Sequence, residues 1–242
     1  MQFNLENKPM KTLPFFSLFA FAISCSSGPS KADVFKMNVT DYESVNLKVP
    51  ADVVWTDTDS PTCVVECSAE TEKKIEVLMD GNTLVIKSRE KNWGWDNWEN
   101  SKIKITLTGK KLRRIQINGS GDFKMESFND SEDFEYTING SGDLKAKVNA
   151  TQCSGTINGS GDVVISGKAK SYDLDINGSG DVKALDFECG TVEIEIAGSG
   201  DAQVHATESL KVKIAGSGDV TYKGDPKNLQ QKVAGSGELR KI

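Results

Sequence analysis

The stretch "INGSGDVVI", residues 157–165, decides the fold. It sets a tight polar turn, Gly159-Ser160-Gly161-Asp162, between two short alternating runs of apolar residues. The same unit occurs as "INGSGDFKM" at 117–125, "INGSGDLKA" at 138–146 and "INGSGDVKA" at 176–184. It returns as "IAGSGDAQV" at 196–204, "IAGSGDVTY" at 214–222 and "VAGSGELRK" at 233–241. Successive first glycines are 21, 19, 19, 20, 18 and 19 residues apart. A repeat of fixed period near twenty is the mark of a solenoid and takes precedence over any local motif.

Alternation supplies the elements. Ile117, Ile138, Ile157, Ile176, Ile196, Ile214 and Val233 stand two residues before each turn, and Ile115, Tyr136, Gly155, Leu174, Ile194 and Val212 stand four before it. Polar residues such as Gln116, Thr137 and Glu195 fall between the two rows. A period of two predicts a strand with one buried face. Past the turn, Phe123, Leu144, Val163, Val182, Ala202, Val220 and Leu239 point inward while Lys124, Lys145, Lys183 and Thr221 point outward. Phe128, Val148, Phe187 and Ala206 then suggest a third inward contact. The fold predicted is all-β: a right-handed parallel β-helix of about 19 residues per coil, with equivalent residues stacked about 4.8 Å apart.

In that frame the tetrapeptide is a corner. Glycine bends the chain without a Cβ clash, and Asp accepts hydrogen bonds from turn N–H groups. Asp122, Asp143, Asp162, Asp181, Asp201, Asp219 and Glu238 are therefore read as structural turn residues. Calcium-binding β-rolls use nine-residue repeats with Asp on each half-turn. One Asp per coil at twice that period does not match them, so no metal and no cofactor is expected. Asn118, Asn139, Asn158 and Asn177 precede four turns and predict side-chain hydrogen bonds from coil to coil; Ala197, Ala215 and Ala234 replace them in the last three.

The chain has 242 residues, a net charge of -6 and a single histidine, His205. An acidic chain without a basic run argues against nucleic-acid binding. "MKTLPFFSLFAFAISC", residues 10–25, has the charged start, short apolar core and small-residue end of an export signal. Its ending resembles a lipobox, which makes Cys25 the expected lipid attachment. Residues 1–25 are read as signal and lipobox, 26–36 as a polar tether, and 37–242 as the β-helix domain. The expected location is the cell envelope, anchored by lipid to the outer membrane. Cys63, Cys67, Cys153 and Cys189 lack metal-site spacing and read as small buried residues, their disulfide state open.

Residues 37–117 keep the alternation without the glycines. "VNLKVPADVVW" is a degenerate unit, with Pro50-Ala51-Asp52-Val53 in the place of GSGDV. "REKNWGWDNWEN", residues 89–100, breaks the pattern with Trp93, Trp95 and Trp98. These are candidate ligand contacts, as an aromatic platform, or else a cover for the solenoid.

The export signal, the degenerate first unit and the seven GSG[DE] turns together resemble the family called "putative auto-transporter adhesin, head GIN domain", over roughly residues 35–240. The resemblance implies a β-helix related in shape to pectin lyases but without their catalytic residues, in exported or lipid-anchored proteins of Gram-negative bacteria. It implies adhesion, and says nothing of the Trp-rich stretch. The expectation is a non-enzymatic binding scaffold for a polysaccharide or a protein, its oligomeric state open. A polysaccharide lyase or hydrolase is the enzyme alternative and needs acids clustered at one place. A structural or signalling protein of the envelope is the third.

Overall fold

The structure, a computed structural model, describes residues 32–89, 98 and 102–242. Its strands begin with β1 (Asp33–Met37), β2 (Ser44–Leu47), β3 (Asp52–Asp57) and β4 (Thr62–Cys67). A short helix α1 (Ala69–Lys74) precedes β5 (Ile75–Asp80), β6 (Thr83–Ser88), β7 (Lys104–Gly109), β8 (Arg114–Gly119) and β9 (Asp122–Met125). The repeats form β10 (Asn129–Gly140), β11 (Leu144–Gly159), β12 (Val163–Gly178), β13 (Val182–Gly198) and β14 (Ala202–Gly216). The last strands are β15 (Val220–Lys223), β16 (Asn228–Gly235) and β17 (Leu239–Lys241).

From β8 to β17 every pairing is parallel, and the GSG corners stay in register from coil to coil. Ile117 pairs with Ile138, then Ile157, Ile176, Ile196, Ile214 and Val233, one per coil. The six isoleucines are at most 2% exposed. Burying one such side chain contributes about 2 kcal/mol, so the stacked row is a main source of cohesion. The parallel β-helix expected from the repeat is the fold observed.

The first glycine of each turn is held at positive φ, +135° at Gly140. A Cβ there would lie 2.3 Å from the Gly119 carbonyl oxygen of the coil below. That oxygen accepts the N–H of Ser141 at 2.9 Å and of Gly142 at 3.1 Å. Glycine is thus demanded twice, by backbone conformation and by coil-to-coil contact. Gly155 breaks the inward row for a similar reason. It pairs with Tyr136, whose ring Cζ would lie 2.2 Å from a Cβ at 155. The missing side chain lets the Tyr136 ring lean across the coil, and its hydroxyl hydrogen-bonds that of Tyr172 inside the core.

Coil lengths differ, and the difference is absorbed away from the GSG corner. Register shifts fall between Val164 and Gly167 in β12, and between Ala184 and Glu188 and again Cys189 and Thr191 in β13. Bulges of this kind take up extra residues while the pairing on either side persists. At this third side the expected inward contacts hold for Val148, Phe187 and Ala206 but not for Phe128, which is 49% exposed. Asn129 is buried in its place. Its Oδ1 accepts the Leu112 N–H at 2.7 Å and its Nδ2 donates to the Leu112 carbonyl at 2.8 Å. A polar side chain wins the position because it satisfies both backbone groups of one buried residue.

The N-terminal part continues the same rows and then departs from them. Val45 pairs with Ile115, Leu47 with Ile117, Asp52 with Asp122 and Val53 with Phe123. Pro50–Val53 therefore occupies the place of a GSGDV corner. Beneath it β6 and β7 stack in parallel on β2 and β3. The continuous parallel helix expected from residue 37 is interrupted here by antiparallel strands: β4 against β7 and β1, and β5 against β6. For β5 and β6 the cause is loop length. Two residues, Gly81 and Asn82, join β5 to β6, and so short a link permits only an antiparallel return. β1 also starts at Asp33, within the stretch read as tether, because Phe35 and Met37 pack on the core.

Candidate functional site

The GSG corner carries the Asp row. The expected acceptor role is present, but the bonds run between coils rather than within a turn. Asp122 Oδ1 accepts the Asp143 N–H at 3.1 Å, Asp143 that of Asp162 at 2.9 Å, and Asp162 that of Asp181 at 2.9 Å. Asp181, Asp201 and Asp219 continue it to Asp201, Asp219 and Glu238 at 2.9, 2.7 and 2.8 Å. Burial holds the Asp122 carboxyl above its ordinary pKa; the Asp143 N–H opposes this, and the charges of Asp143 and Asp52 add to it. Among the described residues, no group of three or more His, Cys, Asp or Glu is placed to hold a metal ion.

Beside that corner runs the Asn row. Asn118 Nδ2 donates to Asn46 Oδ1 at 2.9 Å, Asn139 to Asn118 at 2.9 Å, Asn158 to Asn139 at 2.8 Å and Asn177 to Asn158 at 3.1 Å. Where Ala197, Ala215 and Ala234 take over, a recess of about 320 Å³ opens over their methyl groups. The strand face next to it is charged. Glu193 pairs with Lys211, and Glu195 with Lys213. Asp173 and Asp175 have raised pKa values, first from burial and then from the facing Glu193 and Glu195.

A concavity of about 600 Å³ lies on the third side, where the bulges are. It runs along the solenoid axis, and Asn149, Lys168, Glu188 and Thr207 come to it from successive coils. Ala150 and Ala169 form part of its floor. The groove escaped the sequence because stretches such as "SGKAKS", residues 166–171, read as variable linkers between units. The alternation of Lys168 and Lys170 around Ala169 was the signal present.

Other residues singled out in the sequence are placed as follows. Cys63, Cys67, Cys153 and Cys189 are free and buried. Burial pushes the thiols of Cys63 and Cys189 up to about 12, so they are protonated near neutral pH and poor nucleophiles. His205 pairs in register with Glu188 on the outward row and is half-buried. Trp98 is 8% exposed and joins the apolar core. Trp93, Trp95 and Cys25 lie outside the described residues. No described helix is long and apolar enough to cross a membrane.

Solved structures share this architecture. One from Bacteroides fragilis, described as a putative adhesin, superposes with a TM-score of 0.80 at 22% identity, covering 88% of this chain and 98% of that one. A second, from Parabacteroides distasonis and described as a putative lipid binding protein, gives 0.70 at 26% identity over 89% and 98%. A third, a putative adhesin from Parabacteroides distasonis, gives 0.70 at 22% over the same shares. No curated protein matches the chain. The model of one family spans residues 41–226, from the coil that holds Asp52 to the sixth GSG corner and beyond. On that match the chain belongs to the family described as "Putative auto-transporter adhesin, head GIN domain".

Proposed function

We propose that the protein is a lipid-anchored scaffold of the bacterial cell envelope that holds an extended polymer and does not transform it. The observation that carries this reading is the groove of about 600 Å³ on the third side, which crosses successive coils along the axis. Each coil brings polar side chains to the same lateral position, so a long ligand meets hydrogen-bonding or charged groups at every step. Membership of an adhesin family and likeness to other putative adhesins support the same role.

The non-catalytic character of the reading rests on how the acids are arranged. A lyase or hydrolase needs carboxylates converging on one bond. Here the turn carboxylates stand one per coil, and each from Asp122 to Asp219 already accepts a backbone N–H. Envelope attachment rests on the signal ending at Cys25 and on the polar stretch after it. Trp93 and Trp95, outside the described residues, are further candidate contacts on the ground of their sequence alone.

The test is co-sedimentation of the full chain with a panel of insoluble polysaccharides and matrix proteins, with the supernatant assayed for released oligosaccharide. Retention without release supports the scaffold. Release of product makes the protein an enzyme, and retention on no polymer sinks the reading. For the anchor, Cys25→Ser is expected to move the protein from the membrane fraction to the soluble one; a variant that stays membrane-bound refutes attachment through Cys25.

A further inference from the structure

The charges in the third-side groove are ordered along the axis, and that order names a ligand class. Asn149 and Thr151 from one coil are neutral hydrogen-bonding groups. The next coil supplies Lys168 and Lys170, on either side of Ala169. The coils after it supply Glu188 and Glu208. Among the described residues, none of these four charged groups has an ion-pair partner. They contrast with the neighbouring strand face, where Glu193 and Glu195 are neutralised by Lys211 and Lys213. The groove therefore has one cationic step between a neutral step and acidic ones.

We propose that this groove binds an acidic glycan in which single carboxylates are separated by two or more uncharged sugars, with one carboxylate seated between Lys168 and Lys170. The proposal rests on the polymer-binding role argued above and names its ligand. Spacing favours a sugar chain over a peptide strand. Coils recur about every 4.8 Å, while side chains on one face of an extended peptide recur about every 6.8 Å, so a peptide drifts out of step within a few coils. A pyranose ring advances an equatorially linked chain by close to one coil, which keeps each sugar over one coil. Charge favours sparse carboxylates over dense ones. A second anion one or two units on would face Glu188 or Glu208, where like charges repel. A neutral sugar there offers hydroxyl donors that these carboxylates accept. Asn149, Thr151 and Thr207 supply further partners for hydroxyl groups.

The experiment is titration calorimetry of the full chain with three hexasaccharides. One carries a single uronate among neutral N-acetylated and neutral sugars; one is all uronate, as in hexagalacturonate; one is neutral maltohexaose. The singly charged chain is expected to bind tightest. Lys168→Glu with Lys170→Glu is expected to weaken it about tenfold or more, while Lys145→Glu with Lys183→Glu, the same charge change on another face, shifts it less than about twofold. Equal loss in both double variants would mean non-specific charge attraction and overturn the proposal. So would tighter binding of either other hexasaccharide, or binding of anionic phosphatidylglycerol vesicles that Lys168→Glu with Lys170→Glu abolishes while no glycan binds. If none of the three binds but the sedimentation panel still retains the protein, the ligand class is wrong and the scaffold role stands. If the panel fails as well, both fall.

Discussion

Gly119→Ala and Gly140→Ala alter the same residue of the same motif, one coil apart, yet they should differ widely in cost. The backbone strain is nearly common to both, since φ is +127° at Gly119 and +135° at Gly140. Forcing a Cβ into such a conformation costs on the order of 1–2 kcal/mol. The surroundings differ. A Cβ at 119 meets nothing within 4 Å, because the coil beneath it turns through Pro50 and Ala51 rather than a glycine corner. A Cβ at 140 lies 2.3 Å from the Gly119 carbonyl oxygen. Relieving that clash moves the oxygen away from the Ser141 and Gly142 N–H groups it now accepts at 2.9 and 3.1 Å. Two such bonds contribute about 1 kcal/mol each, and overpacking adds about 1–3 kcal/mol. Gly140→Ala is therefore expected to cost about 3–5 kcal/mol more than Gly119→Ala. Equilibrium urea unfolding of both variants, followed by far-ultraviolet circular dichroism, reads the difference directly. Costs equal within about 0.5 kcal/mol would refute the claim that stacking, and not the turn alone, demands glycine at this corner.

Three further outcomes follow from the side-chain rows. Asn158→Ala removes the bonds to Asn139 and from Asn177, at 2.8 and 3.1 Å, and is expected to cost about 1–2 kcal/mol in the same assay, while Ala197→Asn extends the row and raises stability by a few tenths of a kcal/mol to about 1. A destabilised Ala197→Asn would show that the recess is too tight for the side chain. Tyr136→Phe strands the buried Tyr172 hydroxyl and is expected to cost about 2 kcal/mol, and adding Tyr172→Phe should recover part of that loss; a double variant worse than the single one would contradict the pairing. Asp175→Asn relieves the like charge of Glu195. Because the Asp175 carboxyl is held above its ordinary pKa, the wild type gains stability as pH falls through that raised value, and the gain is complete below the unfolded carboxylate pKa. The variant should thus melt higher than wild type at pH 7 by an amount worth less than about 0.5 kcal/mol, and the gap should close by about pH 3. A gap that widens in acid would reverse the sign of the effect.

What could be read from the chain alone was whatever recurs. A side chain repeated every 19 or so residues at a fixed distance from GSG has only one place to go in a stacked fold. The isoleucine row, the Asp and Asn rows and the stand-in corner at Pro50–Val53 were all legible for that reason. The direction of the Asp hydrogen bonds was not. A turn and a stack offer N–H groups of the same kind, and only coil spacing decides that the next coil is the closer donor. Tertiary structure alone also decided the N-terminal strands, where antiparallel pairings, one of them set by the two-residue link from β5 to β6, cannot be distinguished from parallel ones by alternation. It decided Phe128 against Asn129 as well, since alternation cannot foresee that Asn129 satisfies both backbone groups of Leu112, 17 residues away. The groove belongs to the same class. Its walls come from segments whose lengths vary between coils, so no fixed period aligns Lys168 with Glu188 until bulges in the sheet absorb the difference.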